Sequence, residues 1–330
     1  MADQQICVVG GESLLGRELR DQLAETKFPA NIKLAGADEE STGILTLQGT
    51  EPVVMTALDE DVLAKSKIVF LTGSEKLSQK VFDFATRSKS KSHLIDLTGG
   101  LEDQPSARLR APSVEPAGFT VDSNAIHVLA HPVSVVLAAL LGRVHKKHPL
   151  RHAVIVALEP ASERGQAGLN ELQQQTANLL SFRPLPKDVF DAQISFNLLP
   201  RYGEAAPLKL EEIEHRIERH MATLFGKIPM PSLRLVQAPV FHGYSFSIWL
   251  EFENSTGADE LAEALATAQI EVRGSDLDAP SNVGSVGQGG ITIGVIEPDR
   301  NHPRAIWIWA VADNFRIVVD DALEIAKQLL

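Results

Sequence analysis

The chain has 330 residues, a formal net charge of −12 and one cysteine, with 44% hydrophobic and 22% charged residues. That balance belongs to an ordinary globular protein with material for about two domains, each with room for its own core. A lone Cys7 rules out an intrachain disulfide and a cysteine-based zinc site, and the acidic charge, with no aromatic-interleaved basic stretch, argues against nucleic acid as a partner.

The start, MADQQICVVGG, enters an apolar strand with no basic leader, and no apolar run approaches the roughly 20 residues that a bilayer crossing needs, so a cytoplasmic protein is expected. Ile6 to Val9 reads as a buried strand. Leu15, Leu19 and Leu23 follow at helical spacing behind Ser13, which suits a helix cap. Asn31 to Ala37, Ile68 to Thr72, His93 to Leu97 and Ala125 to Ala130 read as further strands separated by helical stretches. This half is expected to be a doubly wound parallel sheet of the nucleotide-binding type, making the fold class α/β.

From about His131 the pattern changes to long strands with period-two alternation, as in Ser245, Ser247, Leu250 and Phe252 and again over Ala305 to Ala312, which implies a mixed or antiparallel sheet in a second α+β domain. Gln166 to Leu180 and Leu210 to Phe225 read as helices, and Asp320 to Leu330 as a terminal helix. The expected division is 1–130 plus 313–330 for the first domain and 131–312 for the second.

The run Val9-Gly10-Gly11-Glu12-Ser13-Leu14-Leu15-Gly16 stands where a strand feeds a helix, the context in which backbone amides can approach a pyrophosphate. Gly10 suits the tight turn and Gly16 close packing of the helix on the sheet. Ser13 crowds the phosphate position and the Glu12 carboxylate repels it, although an acid suits the helix dipole of an empty turn. At the end of the second strand Asp38, or Glu39, can accept from a ribose hydroxyl, which favours NAD over NADP. The turn is therefore either a dinucleotide site or a structural relic of one.

Several blocks, in order and at matching spacing, resemble aspartate-semialdehyde dehydrogenase: VVGGESLLGREL, GQAGLNELQQQT, FNLLPRYGE, APVFHGYSFSIWLEFE and VADNFRIVVDDALEIA. The resemblance spans nearly the whole chain and implies a homodimer, a second domain like that of glyceraldehyde-phosphate dehydrogenase, and NAD or NADP as cofactor, with Asn314 added to the cofactor positions. The family reaction reduces aspartyl phosphate with NADPH through a cysteine thioester, a task for which a thiolate is suited. In the segment matching the family's N-P-x-C turn, Ser134 stands where that cysteine would be, with His131 and Val133 in place of asparagines. The base, a histidine in a G-H-S turn, falls on Tyr244, and a phenol with a pKa near about 10 is a poor base at neutral pH; His242 two positions away is the one conceivable substitute. Gln237 and Glu214 fall at an arginine and a lysine, no arginine stands in Thr98 to Glu102 at the phosphate-binding position, and Glu159 replaces a glutamine.

Acids and neutral groups in place of anion clamps turn attraction into repulsion. The expected reading is a diverged, catalytically silent homodimer acting through partners. The alternatives are an NAD(H)-binding oxidoreductase of altered chemistry and a dehydrogenase with residual activity through Ser134. A hydrolase triad on Ser134 is weighed against a Ser134 that caps a helix starting at Val135, and the cap is favoured because no nucleophile elbow is present.

Overall fold

The computed structural model describes residues 4–36, 45–48, 51–56, 58–116 and 118–330, with the backbone alone at 45–48 and 51–54. Asp38 and Glu39 lie outside the described residues. The chain divides into two compact units, Met1–Ala130 with Val318–Leu330, and His131–Ile317. The return to the first unit thus comes five residues beyond the sequence boundary at 313, inside the last helix.

The first unit holds β1 (Gln5–Val9), α1 (Leu14–Glu25), β2 (Asn31–Ala35), the hairpin β3 (Leu45–Gln48) and β4 (Glu51–Val54), α2 (Glu60–Lys65), β5 (Ser66–Leu71), α3 (Glu75–Arg87), β6 (His93–Asp96), β7 (Ala107–Arg110) and β8 (Ile126–Leu129). Six of its strands pair in parallel in the order β2-β1-β5-β6-β8-β7. A parallel sheet of this kind is buried on both faces, which explains the continuous apolar runs. Ile6, Val8, Ile68 and Phe70 face Leu19 and Leu23 of α1, while Cys7, Val9, Val69 and Leu71 belong to the opposite layer with Leu63 and Val81. Burial pushes the Cys7 thiol up to about 12, so it is a small core residue and not a nucleophile.

The second unit begins with α4 (Pro132–Lys147), followed by β9 (Leu150–Glu159), α5 (Gly165–Leu180), α6 (Leu210–Leu224), β10 (Ser232–Gln237), β11 (Tyr244–Phe252), α7 (Ala258–Leu265), β12 (Ile270–Val272), α8 (Asn282–Ser285), β13 (Ile291–Pro298), β14 (Ala305–Ala312) and the start of α9 (Asn314–Leu329). Its sheet has the order β10-β9-β11-β14-β13-β12 and is mixed, with β9/β10 and β12/β13 parallel and the central pairs antiparallel. Alternation sorts it cleanly. Ile155, Ile248 and Ile308 are paired in register and buried, and Val154, Trp249 and Trp307 are paired in register on the other face, where Val154 and Trp307 are 45% and 43% exposed.

The terminal helix starts six residues earlier than the apolar spacing of Leu323, Ile325, Ala326 and Leu329 suggests. The Asp313 carboxylate accepts from the amides of Phe315 and Arg316 at 2.8 and 3.0 Å, anchoring a first turn that the periodicity alone does not reveal.

Candidate functional site

Strand register assembles the site. Gln237 at the end of β10 pairs with Glu159 at the end of β9, Ser245 of β11 pairs with Leu158, and Tyr244 pairs with Ala312. Four neighbouring strands therefore finish or begin in one row, carrying Gln237, Glu159, Tyr244 and, just past β14, Asn314. Pro160 then ends β9, and a short 3-10 turn over Ala161–Arg164 brings Ser162, Glu163 and Arg164 back over the row.

The result is a buried polar cluster. Glu159 is wholly buried and its Oε1 accepts from Arg164 Nη2 at 2.7 Å and from the Tyr202 hydroxyl at 3.2 Å. Tyr202 also donates to Gln237 Oε1 at 2.7 Å, and Gln237 Nε2 donates to the carbonyls of Glu159 and Ala238, both at 2.9 Å. Asn314 Nδ2 donates to Glu163 at 2.8 Å and to Ser162 at 3.2 Å, and its Oδ1 accepts from the Gly243 amide at 3.0 Å. Gly243 has a φ of +80°, a conformation that costs glycine little, and this lets its amide turn toward Asn314. Burial, and then the nearby Glu159 charge, raise the Glu163 carboxyl above its ordinary range. The net effect of its surroundings on Arg164 is an upward shift: burial opposes its charge, and Glu159 more than restores it. The Tyr244 phenol is held well above its ordinary value by burial and by the charges of Glu159 and Glu163.

Of the expected catalytic positions, Glu159, Gln237 and Tyr244 stand in this row, and Ser134 lies in the first turn of α4. Ser134 is 0% exposed and its Oγ donates to the Ile217 carbonyl at 3.0 Å. It does not cap α4. That helix starts at Pro132, and its cap is His131, whose Nδ1 accepts from the Val133 amide at 3.3 Å. The His131 amide in turn donates to His220 Nδ1 at 2.9 Å, and burial holds His131 well below its ordinary pKa. The His131 ring meets Tyr244 edge-on at 6.1 Å. His242 packs on Phe315 with ring centroids 6.0 Å apart; the positive φ of Gly243 lies between it and Tyr244, so strand alternation does not carry over to it.

One expectation about cations is revised. Sequence comparison predicts a site emptied of positive charge, whereas Arg164 stands in it and the charge of Arg216 also reaches Glu163 and His131. Arg164, Glu163, Tyr202 and His220 were not among the sequence candidates. The only signal for the first two is their place in a tight turn directly after Glu159. Glu214 does something simpler: its carboxylate accepts from the Leu235 amide at 2.6 Å and pairs with Arg234 at 3.4 Å, tying α6 to β10. In the loop Thr98–Glu102 the carboxylate of buried Asp96 collects the amides of Thr98 and Leu101 at 2.9 and 2.8 Å and holds the loop closed.

In the glycine turn of the first unit the backbone packs too closely for side chains. Gly10 has a φ of +79°, and a Cβ there would stand 2.5 Å from Gly73 Cα; one on Gly16 would stand 2.4 Å from the Gly10 carbonyl oxygen. Gly11 is also tight, since a Cβ on it would lie 3.3 Å from Arg20 Cδ. Ser13 caps α1, accepting from the Gly16 amide at 2.9 Å and donating to the Thr72 carbonyl at 2.6 Å. Leu14 and Leu15 open the helix, and Leu15 packs on the core beneath. Buried Arg20 donates to the Gly11 carbonyl at 3.0 Å. Glu12 adds a carboxylate at the mouth of the turn, one oxygen of which is buried without a hydrogen bond among the described residues. Among the described residues no group of three His, Cys, Asp or Glu could hold a metal, and no helix is long and apolar enough to cross a membrane.

A parallel sheet in one unit and, in the other, a mixed sheet whose strand ends carry the polar row define the two-domain dehydrogenase fold, Rossmann-type followed by a domain like that of glyceraldehyde-phosphate dehydrogenase. The chain belongs to the aspartate-semialdehyde dehydrogenase family: residues 141–317 match the semialdehyde dehydrogenase dimerisation domain. It is 28% identical to the aspartate-semialdehyde dehydrogenase of Rickettsia bellii over 98% of this chain and 97% of that one, and 30% identical to a USG-1 protein homolog of Pseudomonas aeruginosa over 94% and 93%. The structure of a probable aspartate-semialdehyde dehydrogenase from Pseudomonas aeruginosa superposes with a TM-score of 0.86 at 27% identity, covering 99% of this chain and 98% of that chain.

Proposed function

We propose that this chain is a homodimeric member of the family that no longer carries out the reduction of an acyl phosphate. The observation that carries the reading is the state of Ser134, whose hydroxyl is buried and bonded to the Ile217 carbonyl. A serine needs an adjacent base to become a nucleophile. The imidazoles near it have Nδ1 committed to backbone amides of the α4 start, and Tyr244, at the family's base position, is pushed further from a useful pKa. Arg164 is no substitute for the missing clamps, because Glu159 already neutralises it. An anionic substrate would have to displace a buried carboxylate from it.

Dinucleotide binding stands as a separate property. The glycine geometry supports it and Glu12 opposes it, and of the two cofactors NAD is the one the acidic end of the second strand favours. The dimer is supported by the family match over 141–317 and by the exposed apolar row Val154 and Trp307 on the open sheet face. A protein partner for such a silent dimer is part of the same reading.

Intact-mass analysis tests the chemistry: after incubation with aspartate semialdehyde and NADP, no acyl adduct is expected on Ser134, and an adduct would reverse the assignment. Thermal shifts with NAD(H) and NADP(H) test the cofactor. A shift with NAD(H) alone fits the turn as described, while a larger shift with NADP(H) contradicts the preference for NAD.

A further inference from the structure

Three atoms of the polar cluster have no hydrogen-bond partner among the described residues: Glu159 Oε2, Tyr244 Oη and Arg164 Nε. Glu159 and Tyr244 are 0% and 1% exposed, so neither is turned out to bulk water. Buried polar atoms in native proteins are almost always paired, and a group of unspent ones asks for an explanation. These three belong to one cluster, since Arg164 grips the other oxygen of Glu159 at 2.7 Å and the pairing of Ser245 with Leu158 sets Tyr244 beside the Glu159 end of β9.

We propose that the cluster is a binding site for a small, uncharged ligand carrying a primary carboxamide. The free atoms are one acceptor, the carboxylate oxygen, and two donors, the guanidinium Nε and the phenol. A carboxamide presents the complement on adjacent atoms: its carbonyl oxygen accepts from Arg164 and Tyr244, and its NH2 donates to Glu159. Charge selects for neutrality. The Glu159–Arg164 pair is already balanced, so a carboxylate meets Glu159 and Glu163, and an ammonium meets Arg164. Either ion would be desolvated against a like charge already at the site. The turn is the least buried side of the cluster, with the Arg164 side chain 13% exposed and Glu163 half-buried. The inference rests on reading this cluster as the altered reaction site, but not on the silence of that site; carboxamide binding can fail while turnover stays absent, and the two results are separable.

Calorimetric titration of the full chain with propionamide, propionate and propylammonium tests it, the three probes being close in size and differing in charge. Propionamide is expected to bind saturably and at least about tenfold more tightly than either ion, and Tyr244→Phe to weaken it about tenfold, as loss of one buried hydrogen bond does. NAD+, whose nicotinamide carries the same group, separates the sources: with propionamide binding weakened by Tyr244→Phe, a parallel weakening of NAD+ assigns the carboxamide to a cofactor, and NAD+ binding that does not change assigns it to a free amide. Equal or tighter binding of either ion, no binding of any probe, or binding indifferent to Tyr244→Phe overturns the proposal. Tyr244→Phe deletes an oxygen that bonds to nothing described, so the variant is expected to fold; should it not, the ranking of the three probes on the native chain makes the test by itself.

Discussion

Glu159 and Arg164 form a 2.7 Å ion pair across five residues of chain, with the carboxylate wholly buried and the guanidinium 13% exposed. A pair this deep adds little net stability but is costly to break singly, because one charge is left uncompensated. Arg164→Met is expected to cost about 3–5 kcal/mol by chemical denaturation, and adding Glu159→Gln to recover most of it. Additive losses would mean that the two side chains are not coupled.

The glycine turn gives a second expectation. Gly10→Ala places a methyl group 2.5 Å from Gly73 Cα at a φ of +79°, with backbone on both sides and nothing flexible to yield. A loss of about 2 kcal/mol or more is expected, seen as a lower denaturation midpoint with unchanged slope. A neutral effect would show that the turn relaxes.

Much of this was legible in the sequence. The parallel strands, the alternation over Ala305 to Ala312, the Ser13 cap and the family blocks reflect local periodicity and short-range chemistry, which a single sequence carries well. Arg164 and Glu163 were not legible as site residues, because charged side chains in a turn look like solvated loop. Only the register placing Gln237 opposite Glu159, and Tyr244 beside it, shows that this turn closes over a buried row. Ser134 resembles a cap in sequence for a related reason: a serine near a helix start is usually one, and here His131 takes that place.

Asp321 makes stability depend on pH. It is 2% exposed, accepts from the Ser113 amide and hydroxyl at 2.8 and 3.1 Å, and is pushed up to about 7, chiefly by burial, against those two hydrogen bonds. The folded state therefore holds the proton more tightly than the unfolded chain, so the contribution of this group is most favourable below about pH 4 and is lost as pH rises toward about 7. Relative to Asp321→Asn, the native chain is expected to lose stability across that window, by at most about 4 kcal/mol. Parallel pH profiles for the two proteins would refute the shift.

The open sheet face predicts the assembly. Trp249 and Trp307 are paired in register and both indoles donate to Asp299 Oδ2 at 2.9 Å, which fixes their orientation beside Val154. Trp307→Glu is expected to raise the dimer dissociation constant about thirtyfold or more, the effect of losing one central aromatic contact, as measured by sedimentation equilibrium. An unchanged constant would place the interface elsewhere.

The central claim is tested most directly by turnover. Protein purified from a host lacking its own aspartate-semialdehyde dehydrogenase, given aspartate semialdehyde, inorganic phosphate and NADP or NAD, is expected to reduce the dinucleotide no faster than its Ser134→Ala variant. A phosphate-dependent rate that disappears on that substitution would make Ser134 a working nucleophile and the chain an enzyme.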